Sequence, residues 1–269
     1  MKIRLMSHNV WGMYAPDVVG GVFNRNELMR DIYLEELPDA IGTQEFSEDI
    51  RIHGLPEMIA PAYRELDLSE VVAAYGMKNL FTPIFYRVET LEVLDRGFEL
   101  YDRAYNNHDS KGAAWAVFRH KASGEVFTLC NTHYWWRSGE EHDRARVGNS
   151  RVVLSLMERL PKPFFVMGDL NCRVDSEAYR TLLAGGLADV QRLAADTVDS
   201  NTHHAYPTLD RERGLFGGAP KPNGGYDKSI DHILVDADHG SGARVFRILT
   251  HDNACNTSDH CPVYVDWES

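Results

Sequence analysis

The chain has 269 residues, of which 43% are hydrophobic and 25% charged, values typical of a globular protein that buries a sizeable core. Its net charge of −12 argues against a broad electrostatic grip on DNA or RNA, because such binding relies on Lys and Arg that neutralise phosphates. No apolar stretch reaches the length of a membrane span and the N-terminus does not resemble a signal peptide, so we expect a cytoplasmic protein.

The first third of the chain predicts strands that alternate with helices. A strand is predicted over residues 3–10, and a loop with glycine and proline over 13–23. Asn24 is predicted to cap a helix that ends at 37–39, because Glu27 stands three residues on as a capping-box partner. A second strand over 40–45 follows at once, an order that favours an α/β layered unit. Further on, a helix is predicted over 49–58 and an irregular segment over 60–70.

Strand patterns dominate the middle of the chain. Four runs are rich in β-branched and aromatic residues and are predicted as strands: 82–87, 91–94, 113–119 and 125–131. Ser123-Gly124 between the last two runs indicates a hairpin. Connections of this kind are antiparallel, so we expect mixed sheets.

The second half of the chain predicts two helices, a long loop and the last strands. The helices are predicted over 143–160, before Pro161, and from a Ser176 cap to Leu183. The loop is predicted over 196–228, and long structureless stretches in compact domains are often functional. Strands over 230–235 and 261–267 close the chain.

The cysteines and the absence of repeats predict one reduced unit. Four cysteines are scattered, and no pair has the two-residue spacing of a zinc knuckle, so we expect reduced packing residues: Cys130, Cys172, Cys255 and Cys261. Neither an internal repeat nor a linker divides the chain, so we expect a single domain over 1–269, and a monomer.

The stretch from Phe164 to Asn171 organises the rest of the chain. Its apolar run predicts a buried strand that ends at Gly168. If the backbone stays extended, Asp169 and Asn171 point to the same side, where the carboxylate can deprotonate a water and the amide can donate to an oxyanion. A plain turn is the alternative, because Gly-Asp-x-Asn is also good loop chemistry.

Other polar side chains also stand where predicted strands begin or end. They are Asn9, Glu45, His133, Asp231, Asp259 and His260. Each has a structural alternative: a turn for the amide and for Asp259, a surface acid for Glu45, and an ordinary histidine for the two imidazoles. Asp231 is harder to explain in this way, because an acid in an apolar strand needs a partner to offset its burial.

Taken together, these motifs resemble the endonuclease/exonuclease/phosphatase superfamily. The matching pieces occur in the family's order over nearly the whole chain: Asn9-Val10-Trp11, Gln44-Glu45, Asn131-Thr132-His133, Gly168-Asp169-Leu170-Asn171, Ile230-Asp231-His232 and Ser258-Asp259-His260. The resemblance implies an α/β fold, a four-layer α/β/β/α sandwich of two mixed, mostly antiparallel sheets with the site at one edge. It also implies divalent-metal-dependent hydrolysis of a phosphoester, by in-line attack of an activated water on phosphorus.

Roles for single residues follow from the resemblance. Glu45 would be the principal ligand of Mg²⁺ or Mn²⁺, with Asn9 and Asp259 beside it, and an oxygen-rich site without sulfur suits those hard ions. Asp169 would orient and deprotonate the attacking water, and Asn171 would hold that water or a phosphate oxygen.

The histidines complete the implied site. His260 would donate to the phosphoryl oxygen, and Asp231 would accept from its other ring nitrogen and fix the tautomer. His133 would be a second phosphate donor.

Four further residues are candidates for binding the substrate. Trp135 and Trp136 are either core residues or a wall for a sugar, base or lipid head group. Arg146 either reaches the site or lies on a solvated helix face, and Tyr226 belongs to the predicted long loop. We expect a phosphodiester, and a small molecule, lipid head group or sugar phosphate rather than nucleic acid. A nuclease and a catalytically inactive phosphate-binding module are the alternatives.

Overall fold

The computed structural model describes residues 1–12, 19–210, 212 and 215–269, and strands dominate them. The strands are β1 (Lys2–Asn9), β2 (Ala40–Gln44), β3 (Tyr63–Glu65), β4 (Ile84–Arg87), β5 (Leu91–Leu100), β6 (Gly112–His120), β7 (Val126–His133), β8 (Phe164–Asp169), β9 (Leu187–Asp189), β10 (Thr208–Asp210), β11 (Leu215–Gly217), β12 (Asp231–Asp236), β13 (Ala243–Ile248) and β14 (Val263–Glu268).

The helices of the described chain fall between these strands. They are α1 (Val19–Glu36), α2 (Glu48–Ile52), α3 (Leu55–Ile59), α4 (Ser69–Ala74), α5 (Glu140–Arg159), α6 (Glu177–Ala184), α7 (Val190–Leu193) and α8 (Asp252–Cys255). Short 3-10 helices lie at Arg103–Tyr105, Tyr226–Lys228 and Ala237–Gly242. Among the described residues, no helix combines the length and the apolar character that crossing a bilayer requires.

The strands form two six-stranded sheets and a small hairpin. The first sheet has the order β13-β14-β1-β2-β4-β3, and the second has the order β5-β6-β7-β8-β12-β9. Within these sheets, β1 pairs with β2 and β7 with β8 in parallel, while their other neighbours run antiparallel. The prediction of mixed, mostly antiparallel sheets is therefore confirmed.

Strand alternation explains why the sheets stack in layers. In β8, Phe165 and Met167 enter the core between the two sheets, while Phe164 and Val166 face α5 and α6. In β1, Leu5 enters the same inter-sheet core and Met6 packs against α1 and its neighbours on the other side. Each sheet therefore buries one face on its partner and the other on helices, and the predicted four-layer α/β/β/α sandwich is confirmed.

A polar cross-link joins the two sheets near the edge that carries the site. Asn131 on β7 donates to the backbone carbonyl of Thr43 (2.8 Å) and accepts from Gln44 Nε2 (2.6 Å). The sheets approach closely here, since a Cβ atom added to Gly42 would lie 2.6 Å from the Asn131 side chain. Asn131 and Gln44 thus hold the sheets in register.

Several predicted boundaries are wrong in the first third of the chain. Helix α1 begins at Val19, so residues 19–23 are helical and Asn24 lies inside the helix instead of capping it; residues 13–18 are outside the described part. Helix propensity at Gly20-Gly21 is low, but propensity is weaker than burial of the later turns.

Other boundaries are corrected further along. The helix predicted over 49–58 is broken into α2 and α3 at Gly54, whose φ of +86° is left-handed. The segment predicted as irregular contains β3, and the predicted long loop contains the β10–β11 hairpin. The Ser176 cap is confirmed, because its hydroxyl accepts from the backbone N–H of Tyr179.

Candidate active site

Strand register brings one row of polar residues together across the second sheet. His133, the last residue of β7, pairs with Asp169, the last residue of β8, and Asp169 pairs in turn with Asp231 at the start of β12. On the other side, His133 lies opposite Gly112, so Lys111 stands just before β6 at the same edge. Four chemically active side chains thus follow from strand pairing alone.

The first sheet contributes a second group at the same edge. Asn9 ends β1 opposite Gln44, which ends β2 and is followed by Glu45. Asp259 and His260 precede β14, and an isolated antiparallel bridge pairs His260 with His203. The structure therefore brings these residues and the row on the second sheet to one edge.

Asp169 lies at the centre of the site and is bound from both sheets. Its Oδ2 accepts from Asn9 Nδ2 (2.9 Å) and lies 3.4 Å from His133 Nε2 and 3.9 Å from His260 Nε2. Burial raises the pKa of Asp169, and the nearby His260 opposes that rise. A carboxylate in these surroundings can take a proton from a water.

Asn171 joins Asp169 through a turn instead of an extended strand. Its backbone N–H donates to Asp169 Oδ1 (2.8 Å), its side-chain Nδ2 lies 3.3 Å from Asp169 Oδ2, and its φ is +48°. The turn that the sequence offered as an alternative is therefore present, and it lies within the candidate site. Strand β8 continues to Asp169 instead of ending at Gly168 as predicted. Residue 168 has no room for a side chain, because a Cβ there would lie 1.9 Å from the carbonyl oxygen of Thr132.

Glu45 presents a buried oxygen without a described partner. Its Oε1 lies 3.4 Å from Asn9 Nδ2, whereas its Oε2 is buried and makes no hydrogen bond among the described residues. Burial raises the pKa of Glu45, and the positive charge of Lys111 opposes that rise. Its backbone is left-handed (φ +58°), which a Glu seldom adopts without compensation from its surroundings.

His260 is oriented by a buried carboxylate. Its Nδ1 donates to Asp231 Oδ2 (2.8 Å), and Thr202 Oγ1 donates to the same oxygen (2.6 Å). Burial opposes the imidazolium, but Asp231 and Asp259 outweigh it and hold the pKa of His260 well above its usual value. Nε2 then carries a proton and points toward Asp169.

His133 sits beside a buried lysine. Lys111 Nζ lies 2.6 Å from His133 Nε2, and both side chains are buried. Burial lowers the pKa of Lys111 to about 8 and, together with Lys111, lowers the pKa of His133 well below its usual range. The pair is a neutral imidazole next to a positive charge.

Five of these residues line a cavity of about 360 Å³: Glu45, Asp169, Asn171, Asp259 and His260. Asn9, Lys111, His133 and Asp231 are not among its lining residues. We call Glu45, Asp169, Asp259 and His260, together with Asn9 and Asp231 that hydrogen-bond to them, the floor, and Trp11, Trp136, His203 and Tyr206 the rim. The rings of Trp11 and Tyr206 stack with centroids 4.7 Å apart, while Trp136 is 47% exposed. The floor is polar and the rim is largely aromatic.

Side chains at this edge could hold a metal ion. Ligand atoms of Asp169, Asp231 and His260 lie within 4.8 Å of one another, as do those of His203, Asp259 and His260. Glu45 belongs to neither group, but it lines the same cavity, and its unpartnered Oε2 needs a positive partner there. Oxygen donors without sulfur suit Mg²⁺ or Mn²⁺.

The structure separates the predicted substrate-binding residues. Trp136 lines the cavity, whereas Trp135 is buried and donates from Nε1 to His142. Arg146 is buried and donates to the carbonyls of Trp135 and Arg137 (2.8 Å each), so it supports the segment that carries Trp136 and does not line the cavity.

Tyr226 is likewise not among the residues that line this cavity. Its hydroxyl donates to Asp189 Oδ2 (3.0 Å), which also accepts from Tyr179. Tyr226 thus links its segment to β9, and its contact with substrate stays a prediction.

Sequence reasoning missed Lys111, Trp11 and Tyr206. Lys111 precedes a strand by one residue, and only the β6–β7 register reveals that it meets His133. Tyr206 lies in the predicted long loop, where its pairing with Trp11 has no local signal.

The sequence profile of the endonuclease/exonuclease/phosphatase family matches residues 6–260. The chain belongs to this family. Members of the family are phosphoesterases, which supports a hydrolase. A search of curated proteins finds no match.

Solved structures share the fold. An endonuclease/exonuclease/phosphatase family protein from Bacteroides thetaiotaomicron is 19% identical, with a TM-score of 0.75, over 99% of this chain and 97% of its own. A mannosyl-6-phosphatase of the same species is 19% identical, with a TM-score of 0.74, over 99% and 100%. D. rerio TDP2 complexed with a single-strand DNA product is 17% identical, with a TM-score of 0.71, over 100% and 99%. At this level of identity the likeness shows the fold alone.

Proposed function

We propose that this protein hydrolyses a phosphodiester of a small molecule, and that the reaction depends on Mg²⁺ or Mn²⁺. The observation that carries the proposal is the buried, unpartnered Glu45 Oε2 beside Asp169, on a floor where a tethered histidine also points at Asp169. Phosphoryl transfer to water requires positive charge and proton donors around the phosphate. Carboxylates that lack a positive partner can bind a metal ion that supplies this charge, and the histidine nearby can donate the proton.

Glu45, Asn9 and Asp259 would hold the metal. A divalent ion at this place supplies a Lewis acid and a positive charge for the phosphoryl oxygens. Asn9 is already oriented by the Trp11 backbone N–H, which donates to its Oδ1 (3.0 Å).

Asp169 and Asn171 would handle the attacking water. Asp169 accepts the water's proton, and its raised pKa makes it a better base than a surface aspartate. The Asn171 amide, fixed by the carbonyl of Tyr134 (3.1 Å), holds the water or a phosphate oxygen.

The histidines and Lys111 would receive the negative charge that develops on phosphate. His260 donates from Nε2 while Asp231 fixes its tautomer. His133 Nε2 lies 3.4 Å from the same Asp169 oxygen that accepts from Asn9, and His133 and Lys111 would add a donor and a positive charge there.

The charge of the cavity supports a diester. A phosphomonoester carries close to two negative charges at neutral pH and a diester carries one, so carboxylates repel the diester less. The net charge of −12 disfavours a long polyanion, and a cavity of about 360 Å³ suits a small molecule, a lipid head group or a sugar phosphate.

Two observations favour a nuclease as the second candidate. Trp136 and Tyr206 are exposed aromatic rings at the rim, and a nucleic-acid base stacks on such rings. The fold neighbour TDP2 was solved with a DNA product.

One assay series tests these proposals together. Hydrolysis of bis-(p-nitrophenyl) phosphate, p-nitrophenyl phosphate and mannose 6-phosphate is measured with Mg²⁺, Mn²⁺ or EDTA, beside a plasmid-nicking lane. We expect diester cleavage that EDTA abolishes and an intact plasmid. Rapid nicking would favour the nuclease, and faster release of phosphate from the monoesters would overturn the diester. Metal binding without turnover in any lane would favour an inactive binding module.

A single domain, a monomer and a cytoplasmic location stay predictions from the sequence. All four cysteines are free and buried, which agrees with a reducing compartment.

A further inference from the structure

A second cluster of metal-ligating side chains lies beside the floor of the active site. One ring nitrogen of His204 and the sulfur atoms of Cys255 and Cys261 all lie within 4.8 Å of one another. All three residues are buried, and the two thiols are 1% exposed. We propose that His204, Cys255 and Cys261 form a site for a soft metal ion of the Zn(II)/Cu(I) class, separate from the oxygen-rich centre.

His204 is oriented as a metal ligand. Its Nδ1 donates to the carbonyl of Ala205 (2.7 Å), and a carbonyl can only accept, so Nδ1 carries the proton. Nε2 is buried and has no hydrogen-bond partner among the described residues. A histidine that binds a metal through one ring nitrogen usually donates from the other to a carboxylate, a backbone carbonyl or a water.

The sulfur atoms have the separation that one ion requires. Cys255 Sγ and Cys261 Sγ are 3.9 Å apart. Two thiolates on a tetrahedral zinc, each at about 2.3 Å from the metal, are about 3.8 Å apart. Packing alone accounts for buried cysteines, but it does not account for a buried imidazole that has an unpartnered Nε2 and a ring nitrogen within 4.8 Å of both sulfur atoms.

The backbone holds the cluster in place. The His203–His260 bridge is flanked by two hydrogen bonds of 2.8 Å, from His204 N–H to the Asp259 carbonyl and from Cys261 N–H to the Thr202 carbonyl. Cys255 comes from the neighbouring helix α8. An ion here would tie residues 202–204 to residues 255–261, the two segments that carry His203, Asp259 and His260 of the active site.

Ligand chemistry separates the two sites. Thiolates and an imidazole select soft ions, whereas carboxylate and amide oxygens select Mg²⁺ or Mn²⁺. The thiol–imidazole site does not depend on the proposed hydrolysis, so the failure of one proposal leaves the other standing.

Metal binding by the reduced wild-type protein tests the site. The protein is kept in excess Mg²⁺ to fill the oxygen-rich centre, and Zn²⁺, Cu⁺ and Cd²⁺ are then titrated in. We expect one equivalent of each soft ion to bind, with a thiolate-to-metal absorption band in the near ultraviolet for Cd²⁺. X-ray absorption of the Zn²⁺ form should show two sulfur neighbours at about 2.3 Å and a nitrogen at about 2.0–2.1 Å.

Matched variants assign the ligands. Cys255→Ala and Cys261→Ala should each lose the Cd²⁺ band and the rise in melting temperature that Zn²⁺ gives the wild type. Cys130→Ala removes another fully buried thiol, from strand β7, and should keep both. His204→Ala should bind Zn²⁺ at least tenfold more weakly.

Three outcomes would overturn the proposal. The first is a Zn²⁺ shell without sulfur in the wild type, which needs no variant to fold. The second is a band that persists in Cys255→Ala. The third is a wild-type protein that, isolated without reductant, is two hydrogens lighter than its sequence because the thiols form a disulfide, and that binds no Cd²⁺ after this disulfide is reduced.

Discussion

The floor and the rim of the cavity are built on different principles. Floor residues stand at strand ends or next to them, are nearly inaccessible and are bound to one another, as Asp169 is to Asn9 and His260 is to Asp231. Rim residues lie outside the named strands, and two of them face solvent: Tyr206 is 60% exposed and Trp136 47%, whereas Trp11 is buried. Strand pairing fixes most of the floor, whereas Trp11 and Tyr206 of the rim stack on each other through their side chains.

This difference indicates a division of labour. Catalysis by charge stabilisation needs donors that do not reorganise during the reaction, and a sheet edge provides them. Substrate recognition tolerates variation, and residues outside the sheets can change without disturbing the core. We therefore expect substitutions in the floor to lower kcat, and substitutions at the rim to change KM.

The largest effect should come from the centre of the floor. Asp169→Asn keeps the shape but removes the base, so we expect kcat to fall by about 10³-fold or more, as measured by steady-state diester hydrolysis. Asp236→Asn is the matched control, because Asp236 is also a buried acid, at the opposite end of β12, where it accepts from the Phe164 backbone N–H (2.7 Å). Near-wild-type turnover in Asp169→Asn would contradict the assignment of catalysis to the floor.

Glu45→Gln should reveal the metal through a different signature. The variant loses the charge that would hold the cation, so the Mg²⁺ concentration for half-maximal activity should rise by about tenfold or more. Titration of activity with Mg²⁺ measures the shift. An unchanged midpoint would remove Glu45 from the metal site while leaving the role of Asp169 intact.

Lys111 tests whether the floor extends to a residue that precedes its strand. Lys111→Met removes the positive charge beside His133, and we expect kcat to fall by about 10²-fold, the usual cost of losing one charge-stabilising donor. Lys121→Met is the control, since Lys121 directly follows β6 at its other end and is exposed. Equal activity of the two variants would mean that Lys111 takes no part in catalysis.

The floor could be predicted from the sequence because it obeys strand geometry. Asn9, His133 and Asp169 each stand where an apolar run stops, so their positions at strand ends could be predicted from the sequence, and the resemblance to the family implied that they meet at one edge. Lys111 could not, because its position depends on which strands are neighbours and in which register.

The rim and the surrounding segments could not be predicted for the same reason. The Trp11–Tyr206 stack joins residues that are far apart in the chain and belong to no repeating pattern. Strand β13 was not predicted either: it is an edge strand with polar residues such as Arg244 and Arg247, and it pairs only with β14 within its sheet. Tertiary packing decides the structure of these segments, because their sequences carry no local pattern that predicts it.

Trp136 should show the behaviour expected of the rim. Trp136→Ala removes an exposed ring from the cavity, so we expect KM to rise by about fivefold to tenfold, worth about 1 kcal/mol, with kcat changed less than threefold. Trp136→Phe should recover most of the loss because it keeps an aromatic face. A large fall in kcat in Trp136→Ala would show that this ring acts in catalysis, as the floor residues are expected to do.

The smallest catalytic effect should come from Arg146, which reaches the rim only through the backbone. Arg146→Met leaves the carbonyls of Trp135 and Arg137 without their buried donor, so we expect the free energy of unfolding to fall by about 1–3 kcal/mol. KM should rise only about twofold, because Trp136 remains present but is less well held.

Arg144→Met provides the control on the same helix. Arg144 pairs with Glu140 at 2.6 Å on the surface, and an exposed pair of this kind contributes about 0.5 kcal/mol or less. Denaturant unfolding and steady-state kinetics of the two variants measure both quantities. If Arg146→Met changed KM as much as Trp136→Ala does, the rim would be as rigidly held as the floor, and the division of labour between them would have to be abandoned.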